Sequence, residues 1–353
     1  MKYKLSFPNS IILVLTVVAG LVCGGCAALR PHPAVRMTGE SVVFIGDEPA
    51  ALAHIPLPDQ PVHVRNAFEP ESGTTEYTEG KDFILDRAAG TLRRAPGSRL
   101  PDYQTNMLFG QEEFDHNRFP GYGNARFFAF VDYSFAQTNE WPVQASQRAC
   151  LRATQTKLDA GRPVKIIAFG DSITAGGNAS RPGLIFWQRW ADELQRKYPQ
   201  ARITAVNGAT GGDTTRQGLE RLQEKVLSQK PDLVLIGFGM NDHNIGGVPL
   251  PQFKQNLKEM AALIRAQTGA EVILFSAFPP NPRWKFGSHH MADYAAATAQ
   301  AATETGCAYA DVFDNWQSLA ARKKPEDLLA NNINHPNDFG HWIYHSVFTR
   351  LGL

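Results

Sequence analysis

The spacing of hydrophobic and polar positions changes near residue 144. Before that point, short apolar runs rich in β-branched and aromatic residues are separated by clusters of Gly, Pro, Asp and Asn. After it, apolar runs of strand length alternate with segments in which apolar residues recur every three or four positions. The first pattern is typical of an antiparallel sandwich, and the second of a parallel sheet covered by helices. The chain is therefore expected to contain two regions of different architecture.

The first region, residues 37–140, is predicted to be a small β-sandwich domain. Its candidate strands are 42–45, 62–64, 83–85, 91–93 and 126–135. The third and fourth strands are joined across Ala88-Ala89-Gly90, a short Gly-containing turn that is typical of a hairpin. The aromatic residues of the last strand are interpreted as core side chains rather than as a sugar-binding face. We expect an accessory domain that carries no catalytic constellation.

The second region, residues 144–353, is predicted to fold around a parallel sheet. Its candidate strands are 165–169, 202–206, 233–238, 271–275 and 307–310. Between them, apolar residues such as Phe253, Leu257 and Met260 recur at helical spacing, so each helix can lay one apolar stripe on the sheet. The expected fold is a three-layer α/β/α sandwich with a parallel sheet.

Polar residues and glycines follow the predicted strands at the points where they end. Ser172 follows the first strand, Gly212 lies in the Gly-rich segment after the second, and Asn241 follows the third. Near the C-terminus, His335 stands just ahead of a helix that Pro336 can start. Because the carboxyl ends of parallel strands lie at one edge, where open α/β sheets bind ligands, these residues are expected to converge. For a Ser at this point alone, a cap of the next helix would be the favoured interpretation.

The converging residues are those that acyl transfer requires. Such an enzyme needs a nucleophile, a base that takes its proton, and donors aimed at the oxyanion. Ser172 supplies the nucleophile and His335 the base. Gly212, Asn241 and the Ser172 amide supply the donors. Each signal is weak alone, and their joint occurrence in this order favours catalysis.

These motifs resemble those of the SGNH hydrolases, also called the GDSL esterase and lipase superfamily. The first block is similar to segment 170–174, the second to 207–214, the third to 239–242 and the last to 332–336. The resemblance covers about residues 164–353. It implies Ser172 as nucleophile, His335 as base, and Gly212 and Asn241 as oxyanion donors. It also implies a three-layer α/β/α fold and ester hydrolysis without a metal or organic cofactor.

One position departs from the family pattern. The family usually has aspartate three residues before the histidine, and here that residue is Asn332. A neutral amide can accept a hydrogen bond from imidazole but brings no negative charge. We predict a dyad of Ser172 and His335 that is steered by Asn332 or by a main-chain oxygen. Asp338, three residues after His335, is an alternative acid, although it also fits the first turn of the last helix.

Two further pairs of residues have open interpretations. Arg283 and Trp284 follow the fourth strand on the active edge, where they either shape the substrate pocket or belong to an ordinary Pro-rich loop. His341 and His345 are four residues apart, a spacing that can ligate zinc on a helix. Trp342 replaces the Glu of a metalloprotease helix and no third ligand is evident. A packed or solvated helix face is therefore favoured, and no metal site is expected.

Charge and composition narrow the choice of partners. The 353 residues carry a formal net charge of +1, which provides no basic field for nucleic acid. The expected partner is a small-molecule or glycan ester. The body of the chain contains Cys150 and Cys307, whose separation matches no metal pattern. Free buried thiols are favoured over a disulfide.

The first 30 residues have the layout of an export signal. Lys2 and Lys4 precede an uncharged apolar run, residues 11–22, which is shorter than the roughly 20 residues that a membrane span needs. Small residues then surround Cys26, as in a bacterial lipoprotein signal, although ordinary cleavage a few residues later fits equally well. The protein is expected to be exported, as a periplasmic, outer-membrane lipoprotein or secreted form, with a membrane contact only through a lipid on Cys26.

The leading hypothesis is an exported serine esterase that removes O-acetyl groups from carbohydrates. The substrate class rests on the β-sandwich attached to the hydrolase region. A lipid or thioester hydrolase with the same machinery stays open, as does acyl transfer to a sugar. A catalytically weak carbohydrate-binding protein is the hypothesis from another class.

Overall fold

The computed structural model describes residues 33–137, 141 and 144–353. In chain order, the strands in these ranges are β1 (Ala34–Val43), β2 (Ala50–Ala51), β3 (His63–Arg65), β4 (Glu76–Tyr77), β5 (Phe83–Asp86), β6 (Thr91–Arg94), β7 (Phe128–Ala136), β8 (Val164–Gly170), β9 (Ile203–Asn207), β10 (Leu233–Gly237), β11 (Glu271–Phe275) and β12 (Ala308–Ala310). The α-helices are α1 (Arg152–Asp159), α2 (Phe186–Lys197), α3 (Thr215–Lys225), α4 (Leu250–Thr268), α5 (Met291–Thr305), α6 (Val312–Ala320), α7 (Pro325–Leu328) and α8 (Asp338–Phe348). The predicted export signal, including Cys26, lies outside the described residues.

The first region forms two antiparallel sheets. One has the strand order β1-β7-β3-β4, and the other has the order β2-β6-β5. The predicted hairpin is present, because β5 pairs with β6 and places Phe83 opposite Arg94. These sheets confirm the predicted β region ahead of the parallel sheet. Its status as a separate domain stays a prediction, since residues Pro33–Leu353 form one compact unit.

A bulge at Gly39 shapes the face of the larger antiparallel sheet. The register between β1 and β7 shifts between Met37 and Glu40, and Gly39 adopts a φ of 68° there. Its amide donates to Asp132 Oδ1 at 2.7 Å. A Cβ atom at this position would lie 2.6 Å from the ring of Phe68, so only glycine lets that ring pack here.

The second region contains the predicted parallel sheet, with the strand order β12-β11-β10-β8-β9. All four ladders are parallel. The central strands β8 and β10 are buried almost throughout, which explains their continuous apolar sequences. Because the strands run in one direction, the residues that follow β8, β9 and β10 lie at the same edge of the sheet.

Two helical layers cover the sheet. Helix α4 packs against α3 and α5, while α8 packs against α2 and α6. The predicted stripe of Phe253, Leu257 and Met260 is buried on α4, as its spacing requires. The α/β/α prediction is therefore confirmed. None of the helices in the described ranges combines the length and apolarity that crossing a membrane demands.

Buried polar contacts join the antiparallel sheets to the second region. The Lys323 ammonium lies 2.9 Å from Glu40 Oε1, and both side chains are fully buried. Tyr133 also donates to the Glu40 carboxylate, at 2.6 Å. Farther along β1, the backbone amide of Val43 donates to Asp327 Oδ1 at 2.7 Å. The two regions therefore share one interior. Cys150 and Cys307 are both free thiols.

Candidate active site

Ser172 lies in a tight turn directly after β8. The turn is held by the carboxylate of Asp171, which accepts a hydrogen bond from the Ile173 amide at 2.9 Å. Burial raises the pKa of Asp171 to about 7, although that amide bond favours the ionised form, and the nearby Asp242 carboxylate raises it further. Asp171 is thus a buried support for the turn, and the neighbouring Ser172 side chain is left free to face the edge of the sheet.

The structure brings His335 to Ser172, although 163 positions separate them in the chain. Nε2 of the imidazole lies 2.8 Å from Ser172 Oγ. The turn ahead of α8 holds the histidine in place, because Asn331 Oδ1 accepts hydrogen bonds from the backbone amides of Ile333, Asn334 and His335. Burial lowers the pKa of His335, which favours the neutral imidazole that a base requires.

The partner of the other imidazole nitrogen is Asn178. Its Oδ1 atom lies 2.6 Å from His335 Nδ1. Since an amide oxygen can only accept, this bond puts the proton on Nδ1 and leaves the Nε2 lone pair directed at the Ser172 hydroxyl. Asn178 therefore orients the imidazole and selects its tautomer without adding a negative charge.

The prediction that Asn332 or a main-chain oxygen steers His335 is wrong in its geometry. Asn332 is fully buried with a φ of 57°, and its side chain is used elsewhere. Its Oδ1 accepts from the Tyr103 hydroxyl at 3.2 Å, and its Nδ2 donates to the Tyr122 carbonyl at 2.7 Å. Asn332 ties the histidine turn to the first region. The position three before the histidine is thus a packing position here.

The alternative acid, Asp338, contacts the Asn178 loop rather than the imidazole. Its Oδ1 accepts from the backbone amide of Ser180 at 2.8 Å. Asp338 therefore anchors the segment that carries Asn178, and it acts on His335 only through that segment.

The sequence contains a local signal for the turn at Asn178 but none for its contact with His335. Asn178 follows two glycines and adopts a φ of 62°, a conformation that Asn tolerates better than most residues. Gly177 is needed because a Cβ atom there would lie 2.8 Å from the Ser172 carbonyl oxygen and 3.1 Å from His335 Nδ1. A Gly-Gly-Asn segment predicts a turn. Only the fold shows that this turn lies against the imidazole.

The Gly-rich turn after β9 lies beside Ser172, as predicted. A Cβ atom on Gly211 would be 3.8 Å from Ser172 Cβ, and Gly212 adopts a φ of 82°. Asn241 Nδ2 donates to the Asp213 carbonyl at 2.9 Å, which joins the turn to the loop after β10. Within the described residues, the amides of Ser172 and Gly212 have no hydrogen-bond acceptor. The role of Gly212 and Asn241 as oxyanion donors stays a prediction.

Asp242 fixes the loop that carries Asn241. One carboxylate oxygen accepts from the Thr215 amide at 2.8 Å and from its hydroxyl at 2.6 Å. The other accepts from the Gly239 amide at 3.1 Å. Burial raises the pKa of Asp242 to about 6 despite these donors. The loops after β9 and β10 are thereby held as one unit.

The Trp284 side chain packs against the first region, whereas the Arg283 side chain pairs within the second region. Trp284 is buried against Leu108, Phe114 and Ile333, and its Nε1 donates to His116 Nδ1 at 3.1 Å. The Arg283 guanidinium forms an ion pair with Glu326. These contacts match the alternative of a Pro-rich loop that packs at the sheet edge. A substrate-binding role for the two residues stays a prediction.

His341 and His345 have separate environments on α8. His341 is fully buried, its Nε2 lies 3.3 Å from the Gly177 carbonyl oxygen, and burial lowers its pKa to about 4. His345 Nε2 lies 2.8 Å from Glu193 Oε2. Among the described residues, no group of three His, Cys, Asp or Glu side chains is arranged to hold a metal ion. The two histidines occupy a packed helix face.

Residues 168–343 match the model of the GDSL-like lipase/acylhydrolase family. An arylesterase of Vibrio mimicus is 36% identical over 118 residues, 33% of this chain and 56% of that protein, so the match spans little more than half of this relative. The esterase TesA of Pseudomonas aeruginosa is 35% identical over 39% of this chain and 67% of its own length. An acetylxylan esterase of Geobacillus stearothermophilus is 26% identical over 54% of this chain and 94% of its own length.

Two solved structures are similar to part of this chain. The crystal structure of that acetylxylan esterase, Axe2, covers 54% of this chain and 94% of its own with a TM-score of 0.47. A two-domain esterase active on acetylated mannans, CEX, covers 58% of this chain and 54% of its own, with 23% identity and a TM-score of 0.49.

Proposed function

The chain belongs to the GDSL-like lipase/acylhydrolase family, and we propose that it is a serine esterase that hydrolyses carboxylic esters through an acyl-enzyme on Ser172. The observation that carries this proposal is the 2.8 Å contact between Ser172 Oγ and His335 Nε2. A hydroxyl that donates to a neutral, partly buried imidazole is an activated nucleophile.

The reaction proceeds in two halves. In the first, Oγ of Ser172 attacks the ester carbonyl carbon while its proton moves to His335 Nε2, and the intermediate collapses as that proton passes to the departing alcohol oxygen. In the second, His335 takes a proton from water, the resulting hydroxide attacks the acyl carbon, and the proton returns to Oγ as the carboxylic acid leaves. The negative oxygen formed in each half is stabilised by the amides of Ser172 and Gly212 and by Asn241 Nδ2.

Asn178 is the third member of this catalytic group. In serine proteases, exchanging the buried aspartate for asparagine lowers turnover by about 10⁴ because the imidazole adopts the wrong tautomer. Here Asn178 presents its oxygen to Nδ1, so the tautomer is the productive one. The neutral amide lacks the charge that would stabilise the imidazolium. We therefore expect His335 to be a weaker base than it would be beside a carboxylate.

The substrates that we propose are O-acetyl groups of carbohydrates. The relative that aligns with over half of this chain and with 94% of its own length is named an acetylxylan esterase. The antiparallel region packed against the hydrolase region suits a protein that handles long, extended substrates. Lipid and thioester esters, and transfer of the acyl group to a sugar, use the same residues.

Export is part of the proposal. It is supported by Lys2, Lys4 and the apolar run 11–22, and by the similarity to a Bacillus subtilis lipoprotein, 31% identical over 38% of this chain. The destination is the periplasm, the outer membrane through a lipid on Cys26, or the medium.

The test compares Ser172→Ala with the parent on 4-nitrophenyl acetate and acetylated xylan. The substitution is expected to abolish hydrolysis of both and labelling by a fluorophosphonate probe. Ser228→Ala is the matched control, because that hydroxyl is exposed and contacts only the Glu224 carbonyl of its own segment. Undiminished turnover by Ser172→Ala would refute the esterase proposal. A parent protein that binds xylan but does not label would favour a carbohydrate-binding protein instead.

A further inference from the structure

A cavity of about 290 Å³ lies beside Asn178. Its walls come from both regions of the chain: Asn66, Phe68 and Glu69 on one side, and Asn178 and Arg181 on the other. We propose that this cavity, the Asn178 cavity, is the subsite that holds a neutral sugar unit of the ester substrate. The inference rests on the proposed function and adds to it where the glycan binds and which glycans are accepted.

The position of the cavity suits a part of the substrate that is remote from the ester. Ser172, the imidazole of His335 and Asn178 are joined by consecutive hydrogen bonds of 2.8 Å and 2.6 Å. Asn178 also lines the cavity, so the cavity lies beyond the imidazole as seen from Ser172. On this proposal, a chain of sugar units whose acetyl group is at Ser172 is long enough to reach the cavity beyond the ring, whereas an acetyl ester of a small alcohol is not.

The lining combines aromatic and amide surfaces. Phe68 and Phe130 form part of the floor, with ring centroids 5.9 Å apart in an edge-to-face pair. Asn66 and Asn178 contribute amides, and within the described residues nothing accepts a hydrogen bond from Asn178 Nδ2. Sugars have apolar C–H faces and hydroxyls that both donate and accept. Small-molecule sites likewise combine apolar surface with a few oriented polar groups.

The charges around the cavity disfavour anionic ligands. Three carboxylates line it, those of Glu69, Glu71 and Asp338, against the single guanidinium of Arg181. That guanidinium is already used, because it forms an ion pair with Glu69 and lies 3.4 Å from Glu71. A second guanidinium, that of Arg189, lies 3.7 Å from Glu69, so three carboxylates face two cations and a negative charge remains in excess. A phosphate or uronate group would meet this excess of like charge. The cavity therefore favours neutral sugar chains over acetylated pectin and over phosphate-bearing thioesters.

Filling the cavity is the first experiment. Ala125 is exposed and lines the cavity, so Ala125→Trp occupies it without changing charge. The matched control is Ala88→Trp, at an exposed position in the turn between β5 and β6. We expect Ala125→Trp to lower kcat/KM for acetylated xylo-oligosaccharides about tenfold or more, and to leave kcat/KM for 4-nitrophenyl acetate within about twofold. Ala88→Trp should change neither.

The second experiment tests the charge preference. Glu71→Gln removes one carboxylate of the cavity, and Glu79→Gln is its matched control because Glu79 forms a surface pair with Arg87 at 3.6 Å. The parent should prefer acetylated xylo-oligosaccharides to acetylated oligogalacturonides at low ionic strength. Glu71→Gln should reduce that preference by about threefold, and added salt should reduce it in the parent.

The outcomes separate the two proposals. Suppose that Ser172→Ala abolishes turnover, while Ala125→Trp lowers kcat/KM equally for both substrates or for neither. The subsite proposal is then refuted and the esterase proposal is kept. A parent that prefers the anionic oligosaccharide also refutes the subsite. If Ser172→Ala leaves turnover intact, the proposed function itself has failed.

Discussion

Asn178 Oδ1 lies 2.6 Å from His335 Nδ1. The residue beside this imidazole nitrogen is therefore neutral and lies in the loop just after the nucleophile. In the family, that place is usually taken by an acid three residues before the histidine. The substituted position, Asn332, is bonded to Tyr103 and Tyr122 of the first region instead. The imidazole is therefore oriented from the nucleophile's own loop, and the absence of a charge there has measurable consequences.

The pH dependence of catalysis should show that no negative charge lies beside His335 Nδ1. Burial lowers the pKa of His335, and only the neutral ring can accept the Ser172 proton, so kcat/KM of the parent should rise with pH through a midpoint below about 6.5. Asn178→Asp places a carboxylate against Nδ1, which stabilises the imidazolium and should move that midpoint up by about one unit. The measurement is kcat/KM for 4-nitrophenyl acetate between about pH 4 and about pH 8. An unchanged midpoint would contradict the assignment of Asn178.

Gly177 should be intolerant of a methyl group. A Cβ atom there would meet the Ser172 carbonyl oxygen at 2.8 Å and the imidazole at 3.1 Å, so Gly177→Ala must displace one or both. We expect kcat to fall about 10- to 100-fold while the fold is kept. Gly183→Ala is the control, because no atom lies within 4 Å of a Cβ atom at that position. Circular dichroism and thermal melts check folding, and equal kcat values for the two variants would contradict the prediction.

Replacing Asn241 should lower kcat and leave KM nearly unchanged. Its amide is fixed by the Asp213 carbonyl beside the Gly212 turn, where the oxygen of the tetrahedral intermediate is expected to form. Loss of one oxyanion donor costs about 10²- to 10³-fold in kcat, so Asn241→Ala should fall in that range with KM nearly unchanged. Steady-state kinetics on 4-nitrophenyl acetate measure both constants. A rise in KM at constant kcat would instead make Asn241 a substrate-binding residue.

The buried pair of Lys323 and Glu40, which joins the two regions, should contribute strongly to the free energy of unfolding. Lys323→Met leaves the Glu40 carboxylate buried without its cation, which should lower the free energy of unfolding by about 3–5 kcal/mol. Lys324→Met is the control, since Lys324 forms a solvent-exposed pair with Glu48 that is worth about 1 kcal/mol or less. Urea titrations of both variants provide the comparison. Equal stabilities would mean that the charges are not buried in solution.

The sequence alone predicted the parallel sheet and the two residues that we propose to react. Strands such as β8 are recognisable because a strand buried on both faces must be apolar throughout, and its end is marked by the glycine that follows. Ser172 and His335 each lie in a short motif that is weak alone, and the order of the motifs along the chain, each near a predicted strand end or helix start, singled them out. These features are encoded by neighbouring residues, so they can be deduced from neighbouring residues.

Only the tertiary structure decided what surrounds the imidazole. Asn178 and His335 are 157 positions apart, and a Gly-Gly-Asn turn predicts its own backbone shape but not what it packs against. Trp284, Asn332 and the Asn178 cavity likewise depend on how the first region packs against the second. A hydrogen bond or a cavity between distant segments is set by the joint packing of many side chains, because no short stretch of sequence contains both of its sides.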